Sequence, residues 1–174
     1  MIITRLFKKV MCLCLFFITL SFVGCNSANT ENQLPELKPK DFNFIFNYGV
    51  NAKNQLDTTK GQFTKDMVLE PSITTNLKLS DDEMNTIYLE MKKINILNYS
   101  DKFNPKSNTI QTPFSTYSIK IIVDGKEKSI YWKDENVSQS KEATQLRNLF
   151  KKIQEIIVNK EEFKKLPEPK SAYQ

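Results

Sequence analysis

Histidine is absent from this 174-residue chain, and cysteine, glycine and tryptophan are scarce, at three, four and one. Without an imidazole, no Ser-His-Asp or Cys-His nucleophile system, no HExxH zinc helix and no histidine pH switch can be built. Four scattered glycines cannot form a phosphate-cradling P-loop or a GxGxxG dinucleotide turn. Arginine is nearly missing as well: Arg5 and Arg147 are the only two, and every other cation is a lysine. What is present describes an ordinary globular protein, with 26% charged and 40% apolar residues, twelve Phe and six Tyr. A chain of this length has one domain by default. Its Lys/Asn/Ile-rich vocabulary is a compositional bias and carries no functional signal.

The first residues read as an address. Arg5, Lys8 and Lys9 precede the uncharged run VMCLCLFFITLSFV at 10–23, and Gly24-Cys25 and a polar stretch follow. A basic start, a short apolar segment and a small residue before the cut make a secretory signal. The apolar run is shorter than the roughly 17–25 residues that span a bilayer. Phe22-Val23-Gly24-Cys25 resembles the lipobox of bacterial lipoproteins, with Phe22 where that family prefers an aliphatic. The resemblance implies cleavage after residue 24 and a diacylglycerol chain on the Cys25 thiol. Two long acyl chains make such an anchor nearly permanent, because each buried methylene contributes about 0.8 kcal/mol.

This reading also accounts for the cysteines and part of the charge. Cys12 and Cys14 leave with the signal and Cys25 is capped, so no disulfide and no cysteine metal site is expected. Loss of Arg5, Lys8 and Lys9 with no acid lowers the formal charge from +5 to +2. The expected organisation is a signal at 1–24, a lipidated tether at 25–40, a single domain at 41–166 and a short tail at 167–174.

Within the domain, DFNFIFNY at 41–48 alternates, with Phe42, Phe44, Phe46 and Tyr48 on one face, as in a half-buried strand. A loop or short irregular strand is expected over 49–60, a strand over 62–69, a turn at Glu70-Pro71 and a further strand over 73–79. Ser80-Asp81-Asp82-Glu83 opens a helix, with Ser80 as N-cap and Glu83 closing a capping box. Met84, Ile87, Tyr88, Met91 and Ile94 recur at helical spacing, and the helix is expected to end near 95–98. Residues 99–113 read as a loop. Asp124-Gly125 between alternating runs predicts a two-residue hairpin with Ile119 opposite Ile130 and Tyr117 opposite Trp132. A second helix is predicted over 140–163, with Leu146, Leu149, Phe150, Ile153, Ile156 and Ile157 as its buried stripe. The order strands, helix, hairpin, helix fits an α+β fold: an antiparallel sheet with two helices packed on one face. Asn43, Asn47, Ser118, Lys120 and Glu127 would lie on the opposite face.

The stretches FNYGVNAKNQLDT, GQFTKDMV, ITTNLKLSDDEMNTIY and EEFKKLPEPK resemble a family of uncharacterised lipoproteins from Bacillus-type Gram-positive bacteria. More loosely, the chain resembles small domains of unknown function built as a sheet with a helix after each set of strands. The resemblance implies location and fold and transfers no activity or catalytic residue.

Chemistry-bearing groups are few. Asp81, Asp82 and Glu83 are explained as a helix start, whereas a Ca²⁺ site needs a curled loop with six to eight oxygens. Asp57, Asp66 and Glu70 fall in one β-rich region without a spacing that makes them converge. Ser129, Ser138 and Ser140 have lysines nearby but no SxxK motif. Tyr88, Tyr99, Tyr117, Tyr131 and Trp132, with Asn43, Asn47, Asn51 and Asn54, could line a sugar or peptide groove, although Tyr117 and Trp132 are expected in the core. Lys151-Lys152 and Lys164-Lys165 read first as solvated helix faces and second as a surface for an anionic envelope polymer or lipid headgroup.

The function expected from these features is a non-enzymatic, extracytoplasmic binding or interaction domain anchored to the cell membrane through Cys25. No cofactor, metal or nucleic acid is expected, and the partner is an envelope protein or polymer. A small glycan-, peptide- or solute-binding module is one alternative, and a hydrolase using carboxylates or a Ser/Lys pair is another.

Overall fold

The structure, a computed structural model, describes residues 32–173 except Asn108. The expected signal at 1–24 and the lipidation site Cys25 lie outside the described residues. The chain runs through four strands, β1 (Asn43–Tyr48), β2 (Asn54–Asp57), β3 (Gln62–Met67) and β4 (Glu70–Asn76), then helix α1 (Asp81–Lys93). It continues through the hairpin β5 (Thr116–Val123) and β6 (Lys126–Lys133), and ends in helices α2 (Lys141–Asn159) and α3 (Glu161–Lys164). The six strands form one antiparallel sheet in the order β4-β3-β2-β1-β5-β6.

The α+β class and the antiparallel sheet follow the sequence reading, but three helices are present among the described residues, not two. The predicted helix over 140–163 breaks at Lys160, whose backbone is extended at ψ 138°. The Lys160 side chain instead reaches across to Glu83 at 2.7 Å, and the last turn restarts at Glu161.

One sheet face is apolar because alternate residues of adjacent strands fall in register. Phe46 stands opposite Leu56 and Ile119, and Leu56 stands opposite Phe63; all four are fully buried. The helices cover this face. Phe42 meets Tyr88 of α1 edge-on at 4.9 Å. Phe150 of α2 lies 5.0 Å from Phe46 and 4.8 Å from Tyr117, and Phe163 of α3 lies 5.5 Å from Phe63. Ring pairs at these separations add specificity beyond the area they bury.

The hairpin follows its predicted register, with Ile119 opposite Ile130 and Tyr117 opposite Trp132. Asp124 and Gly125 both have positive φ, 49° and 69°, as a type I′ turn requires. Asp41 grips this turn from outside: its carboxylate accepts from the Asp124 and Gly125 amides at 3.1 and 2.8 Å. The bond from Gly125 is the chief reason its pKa lies below the ordinary carboxylate value.

The capping box forms as expected: Glu83 N–H donates to the Ser80 hydroxyl, and Ser80 N–H donates to Glu83 Oε2. Elsewhere the turn predicted at Glu70-Pro71 moves back to Val68-Leu69, where Val68 takes φ 65° and its amide donates to Asp66 Oδ1. Pro71 therefore lies inside β4. It is tolerated there because β4 is an edge strand, where a missing N–H need not break a ladder. Residues 101–103 are more than loop, since Tyr131 N–H donates to Asp101 and Phe103 N–H donates to Tyr131. They shield part of the outer edge of β6.

Packed chain extends beyond 41–166 at both ends. Leu34 is buried in the core cluster, the Tyr88 hydroxyl donates to Pro35 O at 2.6 Å, and Lys92 pairs with Glu36 at 2.6 Å. At the other end, Lys65 is only 6% exposed. Its ammonium donates to Pro167 O and Glu168 Oε1, both at 2.9 Å, and sits 5.1 Å over the Phe163 ring. The residues expected as free tether and tail thus include two straps laid on the domain.

Candidate functional site

The structure separates most of the sequence candidates. Asp57 serves its own turn: its Oδ1 accepts from the Thr59 amide and hydroxyl and the Lys60 amide, and Lys60 Nζ is 3.3 Å from Oδ2. Burial pushes this carboxyl up, but the bonds from Thr59 and Lys60 outweigh it and leave the pKa below the ordinary value. Asp66 lies at the opposite end of β3, bonded to Val68 N–H and the Tyr173 hydroxyl. The two carboxylates therefore do not converge. Asp81, Asp82 and Glu83 form the first turn of α1, and among the described residues no group of three or more His, Cys, Asp or Glu is arranged to hold a metal ion.

The serines are spread apart in the same way. Ser138 is buried and accepts from Ser140 N–H, Ser140 caps α2 by accepting from Ala143 N–H, and Ser129 is exposed on the open sheet face opposite Lys120. The aromatic groove does not assemble either. Trp132 is 1% exposed in the core, Tyr117 packs on Phe150, Tyr88 is buried under the N-terminal strap, and Tyr131 faces the other way beside Ser118. Asn43, Asn47, Ser118, Lys120 and Glu127 do share the open face: Asn47 pairs with Ser118, and Lys120 bonds Glu127 at 2.9 Å. Lys151 and Lys152 are exposed on α2.

Among the described residues, three concavities have nearly equal volumes, about 400, 420 and 410 Å³, so their linings decide between them. The first lies between the C-terminal end of α1 and the start of α2, around Tyr99, Phe103, Asn95 and Gln145. Its Tyr99 hydroxyl already bonds Glu142 O and Gln145 Oε1.

The 410 Å³ hollow contains Arg147 and Asp134. There four of the five guanidinium N–H donors are engaged: Nε and Nη2 fork onto Asp134 at 2.8 and 2.6 Å, while Nη1 and Nη2 also reach Ser138 O and Asn136 O. Its Cζ lies over the Trp132 ring, 5.1 Å from the centroid. The hydrogen bond to Asp134 is the first reason its pKa is raised. This is a brace, most of whose donors are committed to the fold.

The 420 Å³ cleft differs. It opens between the N-terminal strap, the β2–β3 turn and the lead-in to α1, and Lys38, Lys40, Lys60 and Lys78 line it with one carboxylate, Asp81. Gly61, at φ 62°, leaves the room that the Lys78 stem occupies: a Cβ there would lie 2.7 Å from Lys78 Cγ. That packing holds the Lys78 chain across the cleft. Nothing in the sequence spacing groups these four lysines; the strap is held back by Leu34 in the core and by Pro35 and Glu36 on Tyr88 and Lys92 of α1. The chain matches no family model, no curated protein and no solved structure.

Proposed function

We propose that this protein is a lipid-anchored, extracytoplasmic lipoprotein whose domain binds a component of the cell envelope without catalysing a reaction on it. It belongs by this reading with the Bacillus-type lipoproteins it resembles. The observation that carries the proposal is the succession of Arg5, Lys8 and Lys9, an uncharged apolar run and Gly24-Cys25. One feature of the fold supports it. Three of the candidate catalytic side chains have structural partners already, Asp57 in its turn, Asp66 with Val68 and Tyr173, and Ser138 with Ser140.

The test is fractionation of cells expressing the full chain and its Cys25→Ser variant. The wild type is expected in the membrane fraction and in the detergent phase. The variant is expected either in the medium or as an unprocessed, unlipidated precursor. A Cys25→Ser protein that still carries lipid and extracts like the wild type would overturn the anchor.

A further inference from the structure

We propose that the cleft between the N-terminal strap, the β2–β3 turn and the start of α1 binds a phosphate group, held by Lys38, Lys40, Lys60 and Lys78. The inference rests on the binding-domain reading above but not on the lipid anchor. Four lysines from three separate segments line one cavity, against a single acidic lining residue, Asp81. Lys65, Lys92, Lys120, Lys128 and Lys160 each have a carboxylate partner within ion-pair distance. Among the described residues Lys38, Lys40 and Lys78 have none, and Lys60 shares the already bonded Asp57. Like charges gathered around a concavity raise the local potential and favour a counter-anion there.

The hydrogen-bond inventory selects the kind of ligand. Thr58 donates to Asn43 Oδ1 or Phe44 O, Thr59 to Asp57, and Asn43 Nδ2 to Asp41 O. The polar but uncharged groups of the cleft are thus committed to the fold, which leaves little to recognise a neutral sugar. What remains is charge delivered by flexible ammonium groups from several sides. That suits a phosphate, whose oxygens can be approached from several directions and which lysine binds as a point charge. A volume of about 420 Å³ has room for the phosphate and a glycerol-sized substituent.

The experiment is calorimetric titration of the full chain in an uncharged detergent with two probes, inorganic phosphate and glycerophosphoglycerol, the deacylated form of a common anionic headgroup. K40Q/K78Q removes two cleft charges from exposed side chains while keeping the first stem carbons that pack beside Gly61, and K151Q/K152Q removes two from the far helix surface. At least one probe is expected to bind. Its affinity should fall about tenfold in K40Q/K78Q and less than twofold in K151Q/K152Q, because each lost partner is a partly solvated ion pair. Tighter binding of the diester identifies a headgroup-like source, and tighter binding of inorganic phosphate a small soluble one. Equal losses in both variants would overturn the site in favour of diffuse attraction, and no binding of either probe at millimolar concentration would overturn it outright. A protein that stays membrane-bound through Cys25 but gives blank titrations loses the cleft and keeps the anchor. A Cys25→Ser protein that leaves the membrane and still binds phosphate gives the cleft without relying on the anchor.

Discussion

Arg147 ties the end of β6 to α2 through four hydrogen bonds and a face-on contact with Trp132. Asp134 is 5% exposed, so removing the guanidinium leaves a buried carboxylate without its counter-charge. Arg147→Ala is expected to cost about 3 kcal/mol. Arg147→Lys should recover little of it, since an ammonium cannot reproduce the planar fork. Urea unfolding of both variants checks this, and a loss below 1 kcal/mol for the alanine variant would contradict it. The sequence made Arg147 conspicuous as one of two arginines but gave no partner for it. Asp134 follows the hairpin in a stretch whose alternation has ended, and only the return of α2 over the sheet brings the two together. Lys65 was illegible for a similar reason. Its alternation with Phe63 points it inward, and its ammonium is satisfied only by Pro167 and Glu168, about a hundred residues away in sequence.

At the scale of elements, the well-specified pieces were those with local rules. Asp124-Gly125 set the hairpin register, and Ser80 with Glu83 set the start of α1, before any long-range contact is considered. Boundaries governed by tertiary partners were missed: the break at Lys160 is stabilised by Glu83 of α1, and the strand through Pro71 depends on lying at a sheet edge. The N-terminal strap is the clearest such case, because Leu34 reads as linker in a Pro-bearing polar stretch and becomes core only against α1. Tyr88→Phe removes the bond to Pro35 O and should loosen the strap by about 1 kcal/mol. Trypsin is then expected to cut after Lys40 several-fold faster than in the wild type, with the rest of the domain cut no faster. Unchanged cleavage there would mean that the hydroxyl does not hold the strap.

For the molecule as a whole, the tyrosines set an alkaline limit. Burial raises Tyr48 and Tyr99 to about 12, against an ordinary value near 10 in the unfolded chain. Between those values the folded state holds protons that the unfolded state has released. Stability is therefore fully present below pH ~10 and falls as pH rises towards ~12. Ultraviolet titration should show these two tyrosines ionising only together with the loss of circular dichroism. Their ionisation near pH 10 in a folded protein would refute the packing around them. The sheet class and the amide-bearing open face were legible from alternation, since a period of two fixes which residues share a face. The lysine cleft was not, because its members lie on the strap, a turn and the helix lead-in, which only tertiary structure joins. The membrane address, in contrast, is a reading of sequence alone, and the whole account of location depends on it. Mass spectrometry of the N-terminal peptide from membrane-extracted protein tests it most directly. The account predicts Cys25 as the first residue, carrying a diacylglycerol-modified thiol, and a mature chain that begins elsewhere or has an unmodified Cys25 would contradict it.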